Sequence, residues 1–233
     1  MLGVCLEREP LCLLFEFMSN GDLRDYLRHC RPEHFILRRR SLVNADSDDS
    51  DAGGTPQLRF SQQLHIARQI ADALVYLSGR GYVHRDVAAR NCLVSADLTV
   101  KLSDFGLTVT IPAGQEYHQG DENEAIAIRW MPPESILYNR FTPASDVWSY
   151  GILLWEVFSY GSEPYSDMSL EEVVRYVREG NVLYCPETAT SDVYQLMQRC
   201  WLHDATLRPP FGVLLECLYV IDERRGTLVQ ERT

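Results

Sequence analysis

The spacing of three oxygen-bearing side chains constrains this chain most. Asp86 sits in His84-Arg85-Asp86-Val87-Ala88-Ala89-Arg90-Asn91, Asn91 closes that stretch, and Asp104 opens Asp104-Phe105-Gly106 thirteen residues further on. Phosphoryl transfer demands such a set. One carboxylate must orient and deprotonate the attacking hydroxyl, and further oxygens must hold the magnesium that bridges the phosphates. Asp86 suits the first task, and Asn91 and Asp104 suit the second. A His-Arg-Asp tripeptide alone would carry little weight. Its coincidence with Asn91 at this offset, Asp104 at this distance and Met131-Pro132-Pro133-Glu134 downstream leaves chance negligible.

The surroundings predict an α+β chain in which helices dominate. Leu11 to Phe17 is a short apolar run between Pro10 and the turn set Ser19-Asn20-Gly21, which suits a buried strand, with residues 2–7 as its hairpin partner. A short helix follows from Asp22 to Arg31. Ser61 to Ser78 puts Leu64, Ala67, Ala71, Leu74 and Leu77 on one helical face, with Ser61 as N-cap and Gly79 and Gly81 as the stop. Asp146 to Phe158 is apolar on every side, so its helix should run through the middle of the domain. Ser169 and Glu172 form a capping box for the next helix. Two more are expected over about 191–202 and 210–224.

Between Cys30 and Arg59 the periodicity gives way to Arg38-Arg39-Arg40 and the acidic run from Asp46 to Gly54. This predicts a solvated insert over 30–59, either a plain exposed loop or a docking or regulatory segment. At 233 residues and 45% apolar, the chain can bury a sizeable core. Its net charge of -11 argues against a nucleic-acid partner, because phosphate backbones are met by clustered Lys and Arg. The longest apolar stretches, such as Gly151 to Phe158, fall short of the roughly 20 residues needed to span a bilayer, and no signal segment follows Met1. No membrane contact by this chain itself is therefore expected. Seven cysteines without a C-x-x-C pair, most within apolar runs, predict buried, reduced thiols. The remaining histidines, His29, His34, His65, His118 and His203, show no metal-ligand spacing.

On these motifs the chain resembles the protein kinases from its first strand to about residue 220. Ala88-Ala89-Arg90, where Ser/Thr kinases usually carry a lysine at position 88, is similar to receptor-type tyrosine kinases. Ile128-Arg129-Trp130-Met131-Pro132-Pro133-Glu134-Ser135, Ser145-Asp146-Val147-Trp148-Ser149-Tyr150-Gly151, Cys200-Trp201 and Arg208-Pro209 extend the match. Pro132-Pro133-Glu134-Ser135-Ile136, Tyr138-Asn139-Arg140 and the long insert look most like the muscle-specific receptor tyrosine kinase and its invertebrate neural relatives.

The resemblance implies a kinase-like fold with a mainly helical large lobe over 18–233, and with 1–17 as the last two strands of the small lobe. It implies ATP and Mg2+ as cofactors. Asp86 would be the base, Arg90 would help place the substrate, and Asn91 and Asp104 would hold the metal. Phe15 would be the gatekeeper behind adenine, Glu16 and Met18 would offer it backbone groups, and Leu93 would floor the pocket. Taken singly, Phe15, Met18 and Leu93 could equally be core residues. His84 and Phe105 would be packing residues, Glu134 and Arg208 a buried ion pair, and Asp146 an acceptor for the catalytic-loop backbone or a helix N-cap. Tyr117, the one tyrosine between Asp104 and Glu134, would be the activation-loop phosphorylation site. Relatives place an arginine at position 109 to receive that phosphate; here it is Val109.

No G-x-G-x-x-G occurs, and the only lysine, Lys101, is expected to face solvent on a strand leading into Asp104. The domain is therefore expected to be truncated at its N-terminus and inactive alone. Its parent is expected to be a dimerising receptor that phosphorylates tyrosines of protein substrates at the cytoplasmic side of the plasma membrane. A catalytically silent scaffold and a non-functional gene fragment are the alternatives.

Overall fold

The computed structural model describes residues 2–5, 12–32, 57–111, 114–121 and 127–230. The chain is mainly helical, with short strands paired two by two. Strands β1 (Gly3–Cys5) and β2 (Cys12–Leu14) form the expected antiparallel hairpin, Val4 opposite Leu13. Burial was expected of β2, yet Leu13, Leu14 and Phe15 are 60%, 53% and 63% exposed, because no described element covers the hairpin's faces. Helix α1 (Leu23–His29) is capped by Asp22, whose carboxylate accepts from Asp25 N. Most of the predicted insert, 33–56, lies outside the described residues. At its described ends Cys30 and Leu58 are buried in the main core, while Gln57 and Arg59 are exposed.

Helix α2 (Phe60–Gly79) starts one residue before the predicted N-cap. Arg59 takes that position, with its N–H donating to Gln62 Oε1 at 2.9 Å, and Ser61 falls in the first turn. Leu64, Ala67, Ala71 and Leu74 are buried as the periodicity requires, and Leu77 is partly so. Strands β3 (Tyr82–Val83), β4 (Cys92–Val94), β5 (Val100–Leu102) and β6 (Val109–Thr110) follow, pairing β3 with β6 and β4 with β5, both antiparallel. Strand β7 (His118–Gln119) pairs across helix α3 (Pro133–Tyr138) with β8 (Arg140–Phe141), His118 opposite Phe141.

Helix α4 (Pro143–Phe158) is the axis of the molecule, every residue from Ser145 to Phe158 being buried. Tyr150 ties it to α2 by donating to Ala67 O at 2.9 Å. Gly151 is where Trp201 crosses: an added Cβ would lie 2.6 Å from the indole nitrogen and 2.7 Å from Cys200 Cβ. Helix α5 (Leu170–Arg178) carries the predicted box, Ser169 N to Glu172 Oε2 at 2.8 Å and Glu172 N to Ser169 Oγ at 3.3 Å. Helices α6 (Ser191–Cys200) and α7 (Phe211–Gln230) complete the core, α7 lying along α2 and joined to it by an Arg68–Asp222 ion pair at 2.7 Å. Burying α4 and the inner faces of α2, α6 and α7 supplies the main driving force, about 25 cal/mol per Å2 of apolar surface withdrawn from water.

Candidate active site

The loop between β3 and β4 is hung from α4 by Asp146. Its two carboxylate oxygens accept consecutive backbone N–H groups, His84 N at 2.7 Å and Arg85 N at 2.9 Å. The N-cap of α4 is Thr142, so the capping alternative for Asp146 falls away. Burial pushes the Asp146 carboxyl up to about 7, against the opposing pull of those two bonds. Arg85 adopts a left-handed φ of 71°. That turn lays its guanidinium over Phe141, 4.2 Å from the ring centroid.

Asp86 follows, and two residues of the same loop hold its carboxylate. Arg90 donates to Oδ1, and Asn91 Nδ2 donates to Oδ2 at 2.6 Å and to the Asp86 carbonyl at 2.8 Å. The Arg90 guanidinium also lies over Trp130, 4.3 Å from its ring. Because the Asn91 amide nitrogen is committed to Asp86, its carbonyl oxygen is the atom left to ligate a metal. Asn91 O accepts from Ser103 N at 2.8 Å and Ser103 Oγ at 2.9 Å, which fastens this loop to the residue before Asp104. Asp104 is exposed, with φ of 58°, and among the described residues its Oδ1 accepts only the weak 3.3 Å bond from Gly106 N. A carboxylate and an amide oxygen are both donors of the kind that magnesium takes. His84 is fully buried, its Nε2 3.2 Å from Ser103 O and its ring 5.3 Å from that of Phe105. Burial holds its pKa below the ordinary value, in keeping with packing rather than proton transfer. Phe105 remains half exposed.

The segment that carries the residues expected around adenine runs from β2 onto the backbone of β4. Asn20 N donates to Val94 O and Val94 N to Gly21 O, each at 2.9 Å, and Leu93 bridges to Asp22. This brings Met18 and Leu93 to neighbouring backbones. Met18 is buried and its carbonyl accepts from Gly21 N at 3.2 Å, while Phe15 stands 63% exposed. Lys101, opposite Leu93 in the β4–β5 ladder, is exposed as expected but pairs with the Glu16 carboxylate at 2.5 Å. A cavity of about 560 Å3 opens elsewhere, between α1 and the 159–167 segment, and none of these side chains lines it.

Three further placements complete the set. Arg208 meets Glu134 through two bonds, 2.6 and 2.9 Å, and donates also to Ala144 O and Leu202 O. Tyr117 is partly buried just before β7, and the Arg140 guanidinium lies 4.7 Å from its ring and 5.5 Å from that of Tyr138. Val109 packs against the Val83, Met131 and Phe141 cluster, so an arginine at that position would forfeit apolar contact. Sequence reasoning passed over Glu156, which is 1% exposed and accepts from Ala89 N at 2.9 Å and Trp130 Nε1 at 3.0 Å. The signal was available: a carboxylate inside an otherwise apolar helix must find donors.

Comparison with known proteins adds an independent finding. A family model described as protein tyrosine and serine/threonine kinase matches residues 1–218. The NT-3 growth factor receptor of Gallus gallus is 43% identical over 219 residues, 94% of this chain and 25% of the receptor. The tyrosine-protein kinase transmembrane receptor Ror of Drosophila melanogaster is 43% identical over 211 residues, 91% of this chain and 28% of its own length. The high affinity nerve growth factor receptor of Gallus gallus is 43% identical over 206 residues, 88% of this chain and 25% of the receptor. The chain thus spans about a quarter of the length of the curated relatives it matches. Among the described residues no helix is long and apolar enough to cross a membrane.

Proposed function

Because the chain belongs to the protein tyrosine and serine/threonine kinase family, we propose that it is the catalytic part of a receptor protein-tyrosine kinase, moving the γ-phosphoryl group of ATP onto tyrosine hydroxyls of protein substrates. The observation that carries this reading is that Asn91 holds Asp86 with its side chain and, with its backbone carbonyl, Ser103, the residue before Asp104. Asp86 accepts the proton of the substrate hydroxyl and orients it for in-line attack. Asn91 Oδ1 and Asp104 hold magnesium, which when bound neutralises charge on the phosphate oxygens. Arg90, fixed between Asp86 and Trp130, positions the tyrosine. Met18 and Glu16 face the adenine with backbone groups, Leu93 lies beneath it and Phe15 behind it.

In this reading 1–17 ends the small lobe and 18–233 is the large lobe. The parent is a dimerising receptor with its kinase on the cytoplasmic side of the plasma membrane. The Tyr138-Asn139-Arg140 segment and the Pro-Pro-Glu-Ser-Ile run favour a relative of the muscle-specific receptor. Tyr117 is the activation-loop site. Arg140, already stacked on its ring, is the cation that takes up its phosphate by charge-assisted hydrogen bonds in place of an arginine at 109.

A silent scaffold would have no use for Asp86, Asn91 and Asp104 all together, which favours the enzyme. The test is turnover on a tyrosine peptide. The 233-residue chain, with no glycine-rich loop and Lys101 as its only lysine, should show negligible activity. Its fusion to the small lobe of a relative should be active, and Asp86→Ala should abolish that activity. A fusion that binds nucleotide without any turnover would favour the scaffold.

A further inference from the structure

In the β1–β2 hairpin Cys5 stands directly opposite Cys12. Residues opposite one another in an antiparallel pair have Cα atoms about 4.5–5.5 Å apart and side chains on the same face. A disulfide accepts Cα separations of about 4.4–6.8 Å, so this register already meets its main geometric demand. Both cysteines are exposed, so an oxidant reaches either one. The other five cysteines differ in place: Cys217 is partly exposed, its Sγ 3.6 Å from Arg199 Nη1, but it stands on helix α7 with no cysteine paired to it across a strand. Cys30, Cys92 and Cys200 are buried, and burial pushes their thiols up, Cys200 to about 12, which starves them of the reactive thiolate. Cys185 is exposed but lies outside every strand pair.

We propose that Cys5 and Cys12 are a redox-modification site, a dithiol that hydrogen peroxide converts to an intramolecular disulfide. The thiolate of one cysteine attacks peroxide, breaking the O–O bond to give a sulfenic acid and hydroxide, which leaves as water. The thiolate of the other then displaces the sulfenic oxygen as a second water and forms the S–S bond. Two thiols and one peroxide become one disulfide and two waters. Glutathione reverses the change by thiol–disulfide exchange. The strands are three residues each and nearly all exposed, so the hairpin's own register is weakly held. The cross-link would pin that register in the strand leading directly to Phe15, Glu16 and Met18. The inference is independent of the proposed kinase activity.

The full 233-residue chain serves for the test. It is treated with about one equivalent of hydrogen peroxide, alkylated, digested with trypsin and weighed without reduction. Trypsin cuts after Arg8, between the two cysteines, so peptides 1–8 and 9–24 separate when the thiols are reduced and travel together when they are joined. The joined pair should be the main oxidised product, should split on reduction, and should form more slowly in concentrated guanidinium chloride. Cys5→Ser should replace it with a Cys12 sulfenic acid that dimedone traps. Equal rates in denaturant would mean that sequence proximity alone is at work and would overturn the proposal. So would intermolecular disulfides, or oxidation of Cys185 ahead of the pair.

Discussion

Glu156→Leu strands two donors that one carboxylate oxygen now serves, Ala89 N in the catalytic loop and Trp130 Nε1 beneath Arg90. With Glu156 1% exposed, water cannot take its place. Each buried donor left without a partner costs about 1–3 kcal/mol. The substitution should therefore cost about 2–6 kcal/mol, less whatever is regained by no longer burying a carboxyl. Glu156→Gln keeps an acceptor oxygen and should cost clearly less. The two variants also separate charge from hydrogen bonding. Burial pushes the Glu156 carboxyl up to about 7 from 4.5. Between those values the folded chain keeps a proton that the unfolded chain has released. This contribution to stability is whole below pH 4.5 and is lost as pH rises through about 7, at up to about 1.4 kcal/mol per pH unit. Asp146, raised to about 7 from 3.8, acts with the same sign. Glu156→Gln should remove one of these two contributions to the slope. Urea denaturation at a series of pH values reads both quantities. A loss under about 1 kcal/mol for Glu156→Leu, or an unchanged pH slope for Glu156→Gln, would refute the reasoning.

Arg208→Ala should destabilise by about 3–5 kcal/mol, because it leaves Glu134 without its bidentate partner. Replacing Glu134 and Arg208 together by apolar residues should cost less, and a double-mutant cycle showing simple additivity would contradict this. In the fused kinase, Tyr117→Phe should remove the activity gained on autophosphorylation. Arg140→Gln should reduce that gain while leaving Tyr117 phosphorylated. Mass spectrometry that finds Tyr117 unmodified would dismiss the site, and an unchanged gain with Tyr117 phosphorylated would dismiss only Arg140.

Much of this was legible in the sequence where the physics is local. The Ser169 and Glu172 box and the inward face of α2 depend on spacings of three or four residues. Asp86, Arg90 and Asn91 lie close enough in sequence that their chemistry fixes their neighbourhood. Contacts made across the fold were legible only where the resemblance supplied them, as for Glu134 with Arg208 and Asp146 with the loop at His84 and Arg85. Glu156 reaches Ala89 across 67 positions, and Lys101 finds Glu16 across 85. The helical period alone did not choose between Asp146 as a cap and Asp146 as the loop's acceptor; Thr142 takes the cap. Arg140 comes over Tyr117 only because β7 pairs with β8. The cysteines were misjudged for a related reason: apolar neighbours suggested burial for Cys5 and Cys12, but a hairpin without a described cover exposes them.

The division of labour between the two aspartates is tested most directly by MgATP affinity, measured calorimetrically on the fused kinase with Asp86→Asn and Asp104→Asn side by side. Asp104→Asn should weaken MgATP binding, because it removes a charged metal ligand. Asp86→Asn should leave affinity near that of the parent while turnover collapses. Equal MgATP affinities for the two variants would contradict the roles assigned to them.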